Sequence, residues 1–204
     1  MSGDITTEAE LEALYGLPSG PAVLKEQPLI IDEYRRIIAA SPFVVVATVG
    51  PEGLDVSPRG DPPGFVRVVD DRTLQIPDRR GNDRLDTLRN IVRDPRVALM
   101  FLVPGLGEAL RANGTARIRT DEDLCRSFAI GDKVPKTVLE VHVDVIFTQC
   151  QKAIARSKLW DPESIIDRST LPTVGEIMTS LTAGDFDGAA YDAAYPERLR
   201  QTIY

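Results

Sequence analysis

Two adjacent arginines stand just ahead of a helical pattern, and residues of this type in this position suit an anionic group. Arg79 and Arg80 carry planar guanidinium groups, each of which can grip two oxygens of a phosphate. Asn82 is a good N-cap, so we expect a helix to begin there, with its free N–H groups and positive dipole end beside the arginines. The pattern predicts a phosphate-binding loop, and it leaves open a solvated basic loop paired with neighbouring aspartates.

The helix after this loop is predicted from apolar residues at helical spacing, which place one face on the core: Leu85, Leu88, Ile91 and Val92. The pair Asp94-Pro95 ends it, because the residue before proline avoids helical geometry.

Strand patterns dominate the middle of the chain. Two long segments alternate apolar and polar residues and have inward faces formed by Leu110, Ala112, Gly114, Ala116 and Ile118, and by Leu139, Val141, Val143, Val145 and Phe147. Shorter strands are predicted at residues 43–49, 54–57, 65–69, 72–76 and 97–103, with an irregular loop at 58–64. Seven mostly antiparallel strands with few helices predict a mainly β, α+β fold that closes into a small barrel.

Helices are predicted at both ends of the chain, around a single domain. We expect an N-terminal helical extension at 1–40, a barrel domain at 41–165 and a C-terminal helical tail at 166–204. The predicted N-terminal features are a capping box from Thr7 to Glu10, a break at 16–21 and a helix over 28–40. In the tail, helices are predicted at 173–181 and at 188–203, the latter interrupted at Pro196.

Composition excludes several classes of function. A net charge of −7 argues against nucleic acid as a partner. Two cysteines form no disulfide framework, and no apolar run is long enough to cross a bilayer, so we expect a cytoplasmic protein. With His142 as the only histidine there is no Ser/His/Asp triad, and Asp55, Asp61 and Glu140 make no convincing metal site.

Three segments in this order resemble the pyridoxamine-phosphate-oxidase-like flavoproteins, whose fold is the antiparallel, Greek-key FMN-binding split β-barrel. They are ATVGPEGLDVSPRGDPPGFV at 47–66, IPDRRGNDRLDTLRNIVRDPRVALMF at 76–101, and LRANGTARI at 110–118 followed by CQKAIARSKLW at 150–160. The chain departs from the family pattern at Asp94, where Asn is usual, and at Arg80, where Lys is usual.

The resemblance implies a homodimer with two FMN sites shared between the subunits. It places Ser57, Pro58 and Arg59 beside the flavin ring and ribityl chain, and Gln75, Ile76 and Pro77 along the isoalloxazine. It places Arg79, Arg80 and Asn82 on the phosphate loop. Four further residues would complete the site of the partner subunit: Lys152, Arg156, Ser157 and Trp160.

The resemblance also implies an oxidoreductase, with a small-molecule substrate or an electron donor such as NAD(P)H. A flavin needs an apolar slot, donors near its ring and cations for its phosphate, and the chain supplies these residue types. No residue is assigned a catalytic role. The C-terminal segment offers only Arg198 and Arg200 for a substrate phosphate, which argues against pyridoxamine phosphate. The alternatives are a non-catalytic flavin carrier or sensor, and a related barrel enzyme that uses a deazaflavin or haem.

Overall fold

The fold is given by a computed structural model that describes residues 3–18 and 20–204. Met1 and Ser2 of the predicted N-terminal extension, and Ser19 of the predicted break, lie outside the described residues. The division at residues 40 and 165 stays a prediction.

One antiparallel sheet organises the described residues. Its strands are β1 Phe43–Gly50, β2 Gly53–Gly60, β3 Arg67–Val68, β4 Thr73–Pro77, β5 Arg96–Leu102, β6 Ala109–Arg119 and β7 Val138–Gln149. They lie in the order β2-β1-β5-β6-β7-β4-β3, and all neighbours are antiparallel. The predicted seven-stranded, mainly β fold is confirmed. The prediction that the sheet closes into a barrel through strand pairing is wrong for the described residues. The outer strands β2 and β3 do not pair with each other.

Helices lie around the sheet. They are α1 Glu8–Tyr15, α2 Pro21–Leu24, α3 Asp32–Ala40, α4 Asp86–Arg93, α5 Glu122–Arg126, α6 Lys152–Ser157, α7 Val174–Leu181 and α8 Gly188–Thr202. In the described part of the chain, none of them is long and apolar enough to cross a membrane.

The helix ends agree with the sequence in part. The predicted capping box is present, since the Thr7 side chain accepts from the Glu10 backbone and Glu10 reaches back. Gly16 ends α1 at a φ of 72°, which favours glycine. The predicted helix over 28–40 begins only at Asp32. The predicted interruption at Pro196 is wrong, because α8 continues through it.

The main core cluster lies between the sheet and helices α3 and α4, and a smaller second cluster joins Cys125 and Phe128 to Val138. Fully buried members of the main cluster include Ile38, Val44, Leu74, Phe101 and Ile146. Burial of such side chains is the main favourable contribution to folding. Ser41 is buried beside them, and its hydroxyl bonds the carbonyls of Phe43 and Leu102, so α3 is fixed where it meets β1 and β5.

The inward face of β7 changes along the strand because of a β-bulge. Asn113 pairs with Val145 but the next residue, Gly114, pairs with Val143, which leaves Asp144 without a partner in the register. One extra residue reverses the alternation of a strand. The prediction that Val145 and Phe147 point inward is therefore wrong, and Ile146 is the fully buried residue there.

The hairpin β1–β2 is longer than predicted. β2 continues through Pro58 and Arg59 to Gly60, which pairs with Phe43, so the first part of the predicted irregular loop is strand. Proline is tolerated here because β2 is an edge strand. Only Arg67–Val68 of the strand predicted at 65–69 forms a ladder.

The start of α4 differs from the prediction. The helix begins at Asp86 after Leu85, whose φ of 62° is left-handed, and no side chain caps it. The Asn82 side-chain oxygen instead accepts from the Arg84 backbone N–H at 3.1 Å, a local turn that competes with helix. The predicted end at Asp94 is confirmed.

The predicted apolar stripe of α4 is corrected at both ends, and this yields a stability test. Ile91 is 4% exposed, whereas Val92 is 77% exposed and Leu85 is half exposed.

We expect Ile91→Ala to lower the free energy of unfolding by about 2–5 kcal/mol, because it leaves a cavity in the core. The neighbouring Val92→Ala should stay within about 0.5 kcal/mol. Urea titration measures both, and equal losses would restore the predicted stripe.

Candidate functional site

A cavity of about 830 Å³ lies where the end of β2 faces the β4–α4 loop. This volume suits a ligand of cofactor size. The walls come from distant parts of the chain: residues 55–60 of β2, residues 78–83 of the loop, the first turn of α4 at 85–88, the loop at 132–136, and Tyr204.

The cavity brings together six of the predicted site residues: Ser57, Pro58, Arg59, Arg79, Arg80 and Asn82. The other seven are not among the residues that line it: Gln75, Ile76, Pro77, Lys152, Arg156, Ser157 and Trp160.

Arg79 is fixed by a buried ion pair. Its Nε donates to Oδ2 of Asp61 at 2.6 Å, and its Nη1 donates to the carbonyl of Phe128 at 2.8 Å. The Asp61 side chain is only 1% exposed, so its carboxylate needs the Nε donor. Nη2 is the guanidinium nitrogen that remains for a ligand.

Arg59 is held on the β2 wall. Its Nη1 donates to Oγ of Ser57 at 2.5 Å and to the carbonyl of Pro58 at 2.9 Å. Nη2 lies 3.9 Å from Oδ1 of Asp78. Burial raises the pKa of Asp78, and the positive charge of Arg59 opposes that shift. Arg59 therefore lies at the cavity wall beside a carboxyl group that holds its proton more readily than usual.

Arg80 is exposed, unlike the partly buried Arg59 and Arg79. Among residues 3–18 and 20–204, no hydrogen bond or ion pair engages its side chain. The loop that carries it has two non-glycine residues in the left-handed region, Asp83 at φ 58° and Leu85 at φ 62°. Each costs about 1–2 kcal/mol, so the surrounding structure imposes this loop shape.

Charges of both signs line the cavity in equal number. The cations are Arg59, Arg79, Arg80, Lys133 and Lys136, and the carboxylates are Asp55, Asp78, Asp83, Asp86 and Asp132. The net attraction for an anionic ligand therefore comes from cations that lack a carboxylate partner. Arg80 and Lys136 meet this condition within the described chain, whereas Lys133 lies 3.1 Å from Asp132.

The two lysines were missed by the sequence reasoning, which made no prediction for residues 131–136. A signal was present, because Lys133 and Lys136 flank a Val-Pro pair directly ahead of a strong strand pattern. Both lysines lie just before the start of β7, where Val138 pairs with Pro77 and the loop after β4 begins.

The predicted residues on β4 lie in the core of the sheet. Ile76 is fully buried in the hydrophobic cluster. Gln75 donates to Oε2 of Glu140 at 2.9 Å. Glu140 also accepts from Arg117 and Arg119. Burial acts to raise the pKa of Glu140, but the hydrogen bonds from Gln75 and the two arginines together lower it.

The predicted residues after β7 lie on and beyond α6. Lys152, Arg156 and Ser157 are exposed, and the Ser157 hydroxyl donates to the carbonyl of Ile154. Trp160 is half buried, and its Nε1 donates to the carbonyl of Leu106 at 2.8 Å. None of the four lines the cavity.

Tyr204 is a cavity residue that the sequence did not reveal. Its hydroxyl donates to Oδ1 of Asp61 at 2.8 Å, across 143 positions of sequence. The hydrogen bond to Asp61 raises the pKa of Tyr204, burial adds to the shift, and Arg79 opposes it. No local pattern in the sequence marks a contact between residues so far apart.

Metal-ligand residue types and the single histidine lie away from the cavity or apart from one another. Across 3–18 and 20–204, no group of three His, Cys, Asp or Glu side chains is placed to hold a metal ion. His142 is exposed on β7, 3.8 Å from Asp144, and it does not line the cavity.

Comparisons with solved structures give neighbours of moderate similarity. HupZ of Group A Streptococcus is 25% identical, with 59% of this chain and 94% of that chain covered and a TM-score of 0.49. General Stress Protein 26 of Bacillus anthracis is 17% identical (56% and 88% covered, TM-score 0.43). An FMN-binding protein of Syntrophomonas wolfei is 14% identical (56% and 86% covered, TM-score 0.42). No curated protein sequence matches the chain.

The family model described as pyridoxamine 5'-phosphate oxidase matches residues 30–150, which is more than half of the chain. This span contains the whole antiparallel sheet and most of the cavity wall. Members of this family typically bind flavin on a split β-barrel, so the resemblance noted in the sequence is confirmed. The chain therefore belongs to the pyridoxamine 5'-phosphate oxidase family.

Proposed function

We propose that this protein is an FMN-dependent oxidoreductase that works in the cytoplasm as a homodimer, with two flavin sites shared between its subunits. The observation that carries the proposal is the cavity itself. In a chain of a flavin-binding family, it joins the Ser57–Arg59 strand to the arginine loop and to the first turn of a helix.

The residues at the loop end of the cavity fit a phosphate. Arg80 has no partner among the described residues, and Nη2 of Arg79 is still available after its other bonds are made. The first turn of α4 lines the same wall, and its backbone N–H groups lack helical partners. We assign the FMN phosphate to Arg79, Arg80 and this turn, with Asn82 shaping the loop.

The residues along β2 and β4 fit the ring and its ribityl chain. Ser57 and Arg59 present polar groups next to Pro58 on the cavity wall. On β4 the Ile76 side chain points into the core, so its contribution would be backbone. Beyond Gln75, β4 pairs with β7 but not with β3 in the described ladder, which leaves one side of Ile76 and Pro77 without a strand neighbour.

The residues on and after α6 fit a partner's site. Lys152, Arg156, Ser157 and Trp160 do not line the cavity of their own chain, and the proposal places them at the cavity of the other subunit. Exposed apolar side chains on β2, Leu54 and Val56, could contribute to such an interface.

When bound, the flavin would supply hydride or single-electron transfer. The side chains of the protein would position the flavin and supply charge beside its ring. Arg59 is fixed by Ser57 and the Pro58 carbonyl, and it could stabilise negative charge that develops on the ring. We propose NAD(P)H as the electron donor.

Pyridoxamine phosphate is not the proposed substrate. Arg198 lies over the rings of Tyr191 and Tyr195, at 4.1 and 5.2 Å from the centroids. Arg200 pairs with Glu197. Neither arginine lines the cavity, so the C-terminal segment offers no second phosphate site there.

The identity of the bound cofactor tests the proposal directly. Mass spectrometry of the cofactor released from purified protein should give FMN, with flavin bands in the absorption spectrum. A Soret band would indicate haem, for which the exposed His142 gives little support. Release of a deazaflavin would replace FMN as the cofactor and would support a related barrel enzyme. A flavin without turnover would support the carrier or sensor.

The phosphate assignment predicts a difference between two ligands. Arg80→Ala should remove a charge-assisted bond worth about 1.5–3 kcal/mol, and so weaken FMN roughly 10- to 150-fold. Riboflavin, which lacks the phosphate, should change little. Titration of the flavin fluorescence measures both affinities.

Arg84→Ala is the matched control for Arg80. It removes the same charge from the same loop, but Arg84 pairs with Asp86 at 2.7 Å and does not line the cavity. Its affinity for FMN should match that of the wild type. Equal losses of FMN and riboflavin in Arg80→Ala would reject the phosphate assignment.

The shared site predicts that FMN quenches the fluorescence of Trp160, the only tryptophan. Trp160→Ala should raise the dissociation constant of FMN by roughly tenfold, the scale of an aromatic contact.

The proposed homodimer predicts a particle mass of about twice the chain mass of 22.4 kDa, which light scattering measures.

Subunit mixing makes the sharing explicit. A mixed dimer of Arg80→Ala and Trp160→Ala chains has one intact site, so an equal mixture should recover about a quarter of all tight sites. No recovery after subunit exchange, or a monomer loaded with flavin, would refute sharing.

The oxidoreductase assignment predicts reduction of the bound flavin by NADH or NADPH faster than reduction of free FMN. Stopped-flow bleaching of the flavin band measures this, with free FMN as the control. Oxidation of pyridoxamine phosphate should be slow. If neither donor nor any substrate of a panel reduced the flavin, the carrier or sensor would replace the enzyme.

A further inference from the structure

Tyr204 is attached to the same carboxylate that holds Arg79. Oδ1 of Asp61 accepts from the Tyr204 hydroxyl at 2.8 Å, and Oδ2 accepts from Nε of Arg79 at 2.6 Å. The Tyr204 ring centroid lies 5.8 Å from Cζ of Arg79, within the range of a cation–π contact. One buried carboxylate thus fixes a cation and an aromatic ring beside each other.

These contacts leave Arg79 little freedom. Nε and Nη1 are bonded to Asp61 and to the Phe128 carbonyl, and the Tyr204 ring lies near the guanidinium. An arginine restrained in this way loses less entropy when it binds an anion. Nη2 is the donor nitrogen that such an anion would use.

The helix that leads to Tyr204, α8, packs closely against α7. Gly175 and Gly188 approach so closely that a Cβ on either would lie within 2.3 Å of the other's carbonyl oxygen. The Asp192 carboxylate accepts from the Gly175 N–H at 3.0 Å and from the Thr173 hydroxyl. The two helices are therefore held against each other, and the Tyr204 hydroxyl links the end of this helix pair to Asp61 at the cavity.

We propose that Tyr204 is a positioning residue of the anion site, and that it acts through Asp61 to hold Arg79 in its ligand-binding orientation. The C-terminal segment is then a wall of the flavin site. This inference rests on the proposed function, since it assigns Arg79 to the phosphate of FMN.

The experiment compares FMN with riboflavin in Tyr204→Phe, which keeps the ring and removes one hydrogen bond. FMN affinity should fall about 3- to 10-fold, and riboflavin affinity should change less than about twofold. Ile203→Ala is the matched control, because Ile203 is exposed, adjacent and outside the cavity. It should leave both affinities unchanged.

Two further measurements separate positioning from a merely structural role. On an Arg79→Gln background, Tyr204→Phe should cause no additional loss of FMN, because the effect passes through Arg79. Amide hydrogen exchange of residues 198–204 should be faster in Tyr204→Phe than in the wild type, whether or not flavin is present. The exchange measurement stands even if Arg79→Gln fails to fold.

The outcomes distinguish this inference from the proposed function. If the wild type bound no flavin, the proposed function would fail. Separately, if amide hydrogen exchange of residues 198–204 were the same in Tyr204→Phe as in the wild type, the Tyr204 contact would be overturned. If the wild type bound FMN but Tyr204→Phe weakened FMN and riboflavin equally, or neither, the positioning role would be overturned and the proposed function would stand.

Discussion

The ion pair between Asp61 and Arg79 joins the two ends of the sheet. Asp61 follows β2, the first strand in the sheet order, and Arg79 follows β4, the sixth. No strand ladder among the described residues connects these ends, so side chains cross the gap where a closed barrel would have backbone hydrogen bonds. Removing one partner of a buried pair costs about 3–5 kcal/mol, because the other charge is left without compensation. The cavity lies in this same gap.

The use of Arg79 in the fold shapes the chemistry of the cavity. Its charge is already balanced by Asp61, and the charge of Arg59 is partly balanced by Asp78. Unbalanced positive charge on the cavity wall comes from Arg80 and Lys136, which face solvent. In such a site the partly buried arginines are held in position by their carboxylate partners, and the exposed cations supply the net attraction for an anion.

The sequence predicted what depends on local pattern. Alternation over 110–119 marked the central strand β6, and the arginine loop was recognised from residue type and spacing. What failed depends on partners that the pattern does not contain. The bulge at Asp144 arises from pairing with β6, and the left-handed Leu85 moves the start of α4 although Asn82 is a good cap. Tyr204 reaches the cavity through a hydrogen bond to Asp61, which lies 143 positions earlier in the sequence.

The cavity is thus assembled from segments that meet only in the complete fold. Arg59, Arg80, Lys136 and Tyr204 come from the second strand, the middle loop, the loop before the last strand and the C-terminal segment. An anion that contacts several of them connects the same two sheet ends as the Asp61–Arg79 pair. A ligand that binds only this arrangement stabilises the folded state in proportion to its affinity. Anion binding at the gap would therefore add to the Asp61–Arg79 pair, because both connect the same two parts of the sheet.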